Sequence, residues 1–245
     1  MNLLIVERKN DEYRFLAGSE TFGKLAHLTG SVVRLGVPDG PRAEAKVVEK
    51  SGQAICLRVM RWEDPLPAPP RIDIILSYPR PSEARRIIRT AAVMAVASLT
   101  FMEMELTPPG YKQSKEWSAD KVDTHLREGL SQGFHTHLPK VHCAESFSES
   151  LDVALARGPT TVLDPYIGSR LLADSKERPD FPGTVIIGSE RGFSRPEQSL
   201  LKEREDLRLC HLGSCILNNH TAMVAVVSLA HRQTGFWKSA QSVSL

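Results

Sequence analysis

The stretch Gly188-Ser189-Glu190-Arg191-Gly192 sets a carboxylate and a guanidinium between two glycines, directly after the apolar run Thr184 to Ile187. Glycines let a backbone turn sharply and come close to a flat or bulky group. The loop has no Lys-Ser/Thr pair and is not GxGxxG, which disfavours a phosphate cradle. Backbone amides and carbonyls reading an adenine-like edge fit it at least as well. The competing account is a plain turn with Glu190 solvated. Two other apolar runs end in comparable loops. TTVL leads into Asp164-Pro165, and LRLCHL leads into Gly213-Ser214-Cys215. Ile216 and Leu217 then either wall an apolar pocket or belong to the core. Metal chemistry is a poorer reading. Cys210, Cys215 and His220 match no structural zinc spacing, and His135, His137 and His142 have no supporting carboxylate or thiol.

These loops need elements to hold them. Ser194 is followed three residues later by Glu197, a capping box that starts a helix near residue 195. Pro196 falls in the first turn, where a missing N–H costs little. The runs IDIILSY, TTVL, GTVII and LRLC alternate with helical stretches, which implies a parallel sheet covered on both faces. Ligands of such sheets bind in the loops at the carboxyl ends of the strands. Ala84, Ile87, Ile88, Ala91, Ala92 and Ala95 recur at helical spacing behind Pro81, which predicts a helix over 81–98. The first sixty residues read differently. LLIVE, SVVRLGV, AEAKVVEK and AICLRVM are short strands with a PDGPR turn and one helix over 20–29, which suggests a small barrel or sandwich. WEDPLPAPPR at 62–71 carries four prolines and reads as the linker.

Composition narrows the class. The chain has 245 residues and is 41% hydrophobic, enough for one large domain or two smaller ones. A net charge of +2 does not announce a nucleic-acid binder, yet leaves room for a local basic face. No apolar run is long enough to span a bilayer, and the N-terminus lacks the features of a secretory signal. A cytoplasmic protein with no membrane contact is expected, with its four cysteines as buried thiols.

Strand-GSERGFS-x-x-E followed by LGSCILNNHTA resembles the paired motifs of the bacterial small-subunit ribosomal RNA uridine-N3 methyltransferases, members of the SPOUT superfamily. Their usual forms are GPEGG-(F/L)-S-x-x-E and LG-x-R-(I/V)-LR-x-ET-A. His27 with VVRLG, and EGLSQGFHTHLPKV with Gln132 and Pro139, extend the likeness over nearly the whole chain. The resemblance implies an α/β fold with a C-terminal trefoil-knot domain over 69–245 and an RNA-binding PUA-like β-barrel over 1–68. It implies a homodimer that binds S-adenosylmethionine and methylates N3 of a uridine in ribosomal RNA of the small subunit. The cofactor loops would be Leu163, Asp164 and Pro165; Gly188, Glu190 and Gly192; and Leu212, Gly213, Ile216 and Leu217. Departures fall on charged positions of the family pattern. Ser189, Arg191, Cys215, Asn218 and His220 replace the usual proline, glycine, two arginines and glutamate. Thr90 and Val93 lie near the places of a lysine and a glutamate, and His135 stands for an arginine.

Arg191, Asn218 and His220 are therefore the candidate catalytic residues, with Arg191 or a nearby histidine taking over a lost cationic role. The alternative is a SPOUT-fold RNA-binding or ribosome-assembly protein with impaired catalysis. A SPOUT enzyme with another RNA target, and a doubly wound nucleotide-binding protein without a knot, stand further off. For RNA, Arg85, Arg86 and Arg89 line one side of the first helix after the linker. Lys112, Lys115 and Lys121 with Tyr111 and Trp117 suggest a second basic and aromatic surface.

Overall fold

The computed structural model describes residues 3–8, 11–27, 32–172 and 183–236. Residues 28–31, which hold the end of the helix expected over 20–29 and the first residue of SVVRLGV, lie outside them. Strands β1 (Leu4–Ile5), β2 (Glu12–Leu16), β3 (Val32–Gly36), β4 (Arg42–Lys50) and β5 (Ala54–Trp62) form a mixed sheet of order β1-β3-β4-β5-β2. Helix α1 (Glu20–Ala26) contributes Leu25 to its core, beside Val33, Leu35, Ile55 and Leu57. β2 was not anticipated. Only Tyr13 of its five residues is buried, and Glu12, Arg14 and Leu16 are exposed, so it carries no continuous apolar signal.

The second sheet is built from β6 (Ile72–Ser77), β7 (Ser98–Met102), β8 (Lys140–Ala144), β9 (Thr160–Leu163), β10 (Arg170–Leu171), β11 (Gly183–Ile187) and β12 (Leu207–His211). Its order is β10-β12-β9-β11-β6-β7-β8, and every neighbouring pair is parallel. Helices α2 (Pro81–Val93), α3 (Ala119–Gly133) and α6 (Asn219–Thr234) build the core on one face. Helices α4 (Phe147–Arg157) and α5 (Arg195–Glu203) cover the other. Alternate residues of one strand serve opposite faces: Ile72, Ile74 and Leu76 of β6 join the first core, Ile75 the second. Central strands of such a sheet are apolar throughout because both faces are covered.

The expected helix over 81–98 is shorter than its apolar pattern. It ends at Val93, Ala95 takes φ 54°, and β7 follows from Ser98. A continuous apolar run suits a buried helix and a buried strand equally, so periodicity cannot place the break. β8 was also missed. It is a sheet edge on which Lys140, His142 and Cys143 are exposed, so it lacks the apolar signature of its neighbours. The expectation of four buried thiols is corrected: Cys210 is buried, whereas Cys143 and Cys215 are exposed and Cys56 is intermediate.

The segment between α3 and β8 docks the two sheets together. Asp39 N donates to Thr136 O at 2.7 Å, Leu138 N donates to the Asp39 carboxylate at 2.9 Å, and Thr136 Oγ1 donates to Gly40 O at 2.7 Å. The Arg42 guanidinium lies over the Phe134 ring and donates to its carbonyl at 3.2 Å. Beneath this contact α2 and α3 approach closely at Gly129, where an added Cβ would sit 2.4 Å from Arg89 O and 2.5 Å from Ala92 Cβ. Gly129→Ala is expected to destabilise the protein by about 1–3 kcal/mol through this overlap. Urea unfolding checks it, and an unchanged midpoint would show that the helices can part at no cost.

Candidate functional site

Three of the parallel strands end level with one another. Leu163 of β9 stands opposite Ile187 of β11 on one side and Cys210 of β12 on the other. Adjacent strands are about 4.8 Å apart, so loops leaving these ends start within roughly 10 Å of each other. They enclose a cleft of about 310 Å³, at the small end of the range for small-molecule sites.

Each loop is held by its own polar groups. In the first, the buried Asp164 carboxylate accepts from Tyr166 N at 2.7 Å and Ile167 N at 2.9 Å, an Asx-type turn. In the second, Ser189 and Gly192 exchange backbone hydrogen bonds, and Ser189 Oγ donates to Gly192 O at 2.7 Å. Gly192 has φ 79°, which favours glycine, and a Cβ at Gly188 would meet the Phe193 ring at 3.0 Å. The capping box closes this loop onto α5: Ser194 N donates to Glu197 Oε2 at 2.8 Å, and Glu197 N donates to Ser194 Oγ at 3.3 Å. The other Glu197 oxygen accepts from Glu105 N at 2.9 Å, so one carboxylate also ties down the chain beyond β7. Glu190 reaches the start of α2, accepting from Arg80 N at 3.4 Å. In the third loop Gly213, at φ 113°, donates its N–H to His211 Nδ1 at 3.2 Å.

All ten proposed cofactor residues, Leu163, Asp164, Pro165, Gly188, Glu190, Gly192, Leu212, Gly213, Ile216 and Leu217, line this one cleft. Arg191 lines it as well, and its side chain makes no ion pair or hydrogen bond among the described residues. Asn218 and His220 are not part of the lining. Asn218 caps α6, its Oδ1 accepting from Thr221 N at 2.9 Å. His220 shares a hydrogen bond of 3.0 Å with Thr90 on α2. Desolvation first, and the nearby Arg86 charge second, hold its pKa below the usual histidine value. Two positions that depart from the family pattern are thus joined to each other instead of facing the cleft.

Tyr166, Ser189, His211, Asn219 and Ala222 also line the cleft, though none was among the candidate cofactor residues. Ser189, Asn219 and Ala222 lie within the two motifs, and Tyr166 and His211 adjoin loop residues. Of the basic residues of α2, Arg85 pairs with Glu128 at 3.1 Å, Arg89 lies 3.9 Å from the same carboxylate, and Arg86 pairs with Glu83 at 3.6 Å. All three keep exposed side chains. The expected lysine and aromatic surface is partly internal. The Trp117 ring packs on Phe101 and Tyr78 with centroids 4.6 and 5.1 Å apart, and its N–H donates to Tyr111 O at 2.7 Å. The indole is partly buried, so these contacts cover part of its surface.

A cleft of glycine-bearing loops at the carboxyl edge of a parallel sheet defines an α/β protein with a small-molecule site. The family is settled by comparison: residues 66–231 match the model of the RNA methyltransferase domain, and the chain belongs to that family. It is 24% identical over 257 residues to the ribosomal RNA small subunit methyltransferase E of Treponema pallidum, covering 97% of this chain and 93% of that protein. A stretch of 86 residues is 38% identical to the Helicobacter pylori protein of the same name, 35% of either chain. In fold it is similar to the ribosomal RNA small subunit methyltransferase E of Neisseria gonorrhoeae, solved with S-adenosyl methionine, at a TM-score of 0.76 and 15% identity over 94% of this chain and 97% of that one. A putative methyltransferase of Legionella pneumophila, in complex with the same cofactor, gives 0.70 at 18% identity over 94% and 96%.

The position of Asn218 has a measurable consequence. Asn218→Ala is expected to cost about 1 kcal/mol of stability through loss of the cap, with recovery in Asn218→Ser. Ligand affinity of the cleft should be unchanged; a loss of affinity without a loss of stability would place Asn218 in the binding machinery instead.

Proposed function

We propose that this protein transfers the methyl group of S-adenosylmethionine to N3 of a uridine in ribosomal RNA of the small subunit. The observation that carries the reading is the convergence of three glycine-bearing loops on one cleft at the level carboxyl ends of β9, β11 and β12. The names of the relatives supply the RNA, and the ligands of the neighbours supply the cofactor.

The residues present suit that cofactor. Leu163, Ile187, Leu212 and Leu217 offer apolar walls, and Gly188, Gly192 and Gly213 let backbone approach an adenosyl group. The sulfonium supplies a methyl that is already electrophilic, so the protein chiefly has to orient the acceptor. Alignment alone is worth several kcal/mol, up to about 7–11. Arg191 stands at the rim with an uncommitted guanidinium. Beside a uracil it stabilises the anion left when N3 loses its proton, and so favours that loss at neutral pH.

The finer architecture belongs to the same proposal. The chain places β11 between β6 and β9 and then passes beyond β9 to β12 before α6 packs against β6 and β11. That order supports a threaded, knotted C-terminal domain over 69–245. The curled mixed sheet supports a PUA-like barrel over 1–68. The exposed Tyr166 and Ile216 beside the cleft, 72% and 74% accessible, support a homodimer that covers them. Among the described residues no helix is long and apolar enough to cross a membrane, and a cytoplasmic place fits a ribosomal substrate.

Calorimetric titration with S-adenosylmethionine, with ATP and NAD as controls, is expected to give selective micromolar binding, followed by methyl transfer to small-subunit ribosomal RNA. Binding without transfer would favour the RNA-binding or assembly role, and no binding by the folded protein would remove the enzyme reading. For the RNA surface, charge reversal at Arg85 and Arg89 should weaken RNA binding and its salt dependence while leaving cofactor affinity intact. Equal losses in both would mean misfolding, since Glu128 would face like charges.

A further inference from the structure

Among the described residues Asn219 is the one polar side chain of the cleft that is buried and left without a partner. It is 7% exposed, it lines the cleft, and its Nδ2 has no hydrogen-bond partner among the described residues. Apart from the exposed Tyr166, Arg191 and Cys215, the other polar groups around it have partners. Asp164 holds two backbone amides, Ser189 holds its own loop, His211 Nδ1 accepts from Gly213, and Asn218 caps the helix. Glu190 is turned to Arg80. A buried amide N–H without a partner is destabilising. Such a group is tolerated where a ligand completes it.

The chemistry of that ligand group follows from the surroundings. The side chain is neutral, and apolar Leu163, Ile187, Leu217 and Ala222 share the cleft with it. A carboxylate or an ammonium would be poorly solvated there. A flat, neutral edge with one donor beside one acceptor matches a carboxamide, and the N6/N7 edge of adenine is such a group: the amide oxygen accepts from N6–H while the amide nitrogen donates to N7, whereas the 6-oxo base shows two acceptors there. We propose that the carboxamide of Asn219 reads the adenine edge of the cofactor and makes the cleft selective for adenine over its 6-oxo counterpart. This rests on the reading of the cleft as the cofactor site. Asn219 is then a specificity residue whose neighbour Asn218 serves the helix, two asparagines in sequence with different work.

The test uses the full chain and two product-like probes, S-adenosylhomocysteine and S-inosylhomocysteine, in which the 6-amino group is replaced by an oxo group. The wild type is expected to bind the adenine form about tenfold or more tightly. Asn219→Ala should lose most of that preference by weakening the adenine form while changing the inosine form little. Asn219→Asp, of nearly the same shape, keeps the acceptor and loses the donor, and should also weaken the adenine form. Thermal melting of both variants establishes that they are folded, and the aspartate variant serves if the alanine variant is not. Equal weakening of both probes, or no change in either, overturns the assignment. Unchanged probe binding with a lower kcat/KM for RNA overturns it too, and moves the carboxamide to the target base. Failure of the wild type to bind either probe would instead bring down the reading of the cleft itself.

Discussion

The site depends on the level ending of three parallel strands. Because Leu163 is paired with both Ile187 and Cys210, the chain leaves β9, β11 and β12 at one height. A slip of one residue in either pairing would stagger the loops and exchange core-facing for outward-facing side chains. The register is secured by burial: every residue of β9, and Thr184 to Ile187 of β11, is buried between helical layers. The hydrophobic packing of the sheet thereby becomes the positioning device of the cleft.

Above that platform the loops spend most of their side chains on themselves. Asp164, Ser189, Glu197 and Asn218 each satisfy backbone donors within a few residues. Such local bonds hold a loop in shape without a large core beneath it. They leave backbone, apolar walls and a few free groups to meet the ligand. The same economy explains why asparagine and histidine at Asn218 and His220 are compatible with the fold. Where the family pattern carries charges, this chain has a helix cap and a hydrogen bond to Thr90.

The N-terminal sheet is tied to the larger one by backbone and side-chain hydrogen bonds through Asp39, Gly40, Thr136 and Leu138. The ion pairs on this side, Arg127 with Glu7 and Arg85 with Glu128, are largely exposed and individually worth little. The pair with Glu128 fixes where Arg85 of α2 stands. That helix runs from Arg80, which meets Glu190, to the contact of Thr90 with His220. One element therefore connects the basic face with one loop of the cleft and with the helix that follows another.

Some of this was written in short range. The capping box of Ser194 and Glu197, the turn glycine at 192 and the apolar strands before the three loops are local features, and each appears in the structure where its spacing places it. The break between α2 and β7 was not legible, because an uninterrupted apolar run satisfies a helix and a strand alike and only packing decides. The inward turn of Trp117 depends on Phe101 and Tyr78, which lie in other strands or loops. The sequence alone determined the class of fold, the loops and the residue types they carry. Tertiary structure alone decided that Asn219 faces the cleft while Asn218 and His220 face their own helix and its neighbour. Direction around a helix start is set by what the helix packs against, and that partner is distant in the chain.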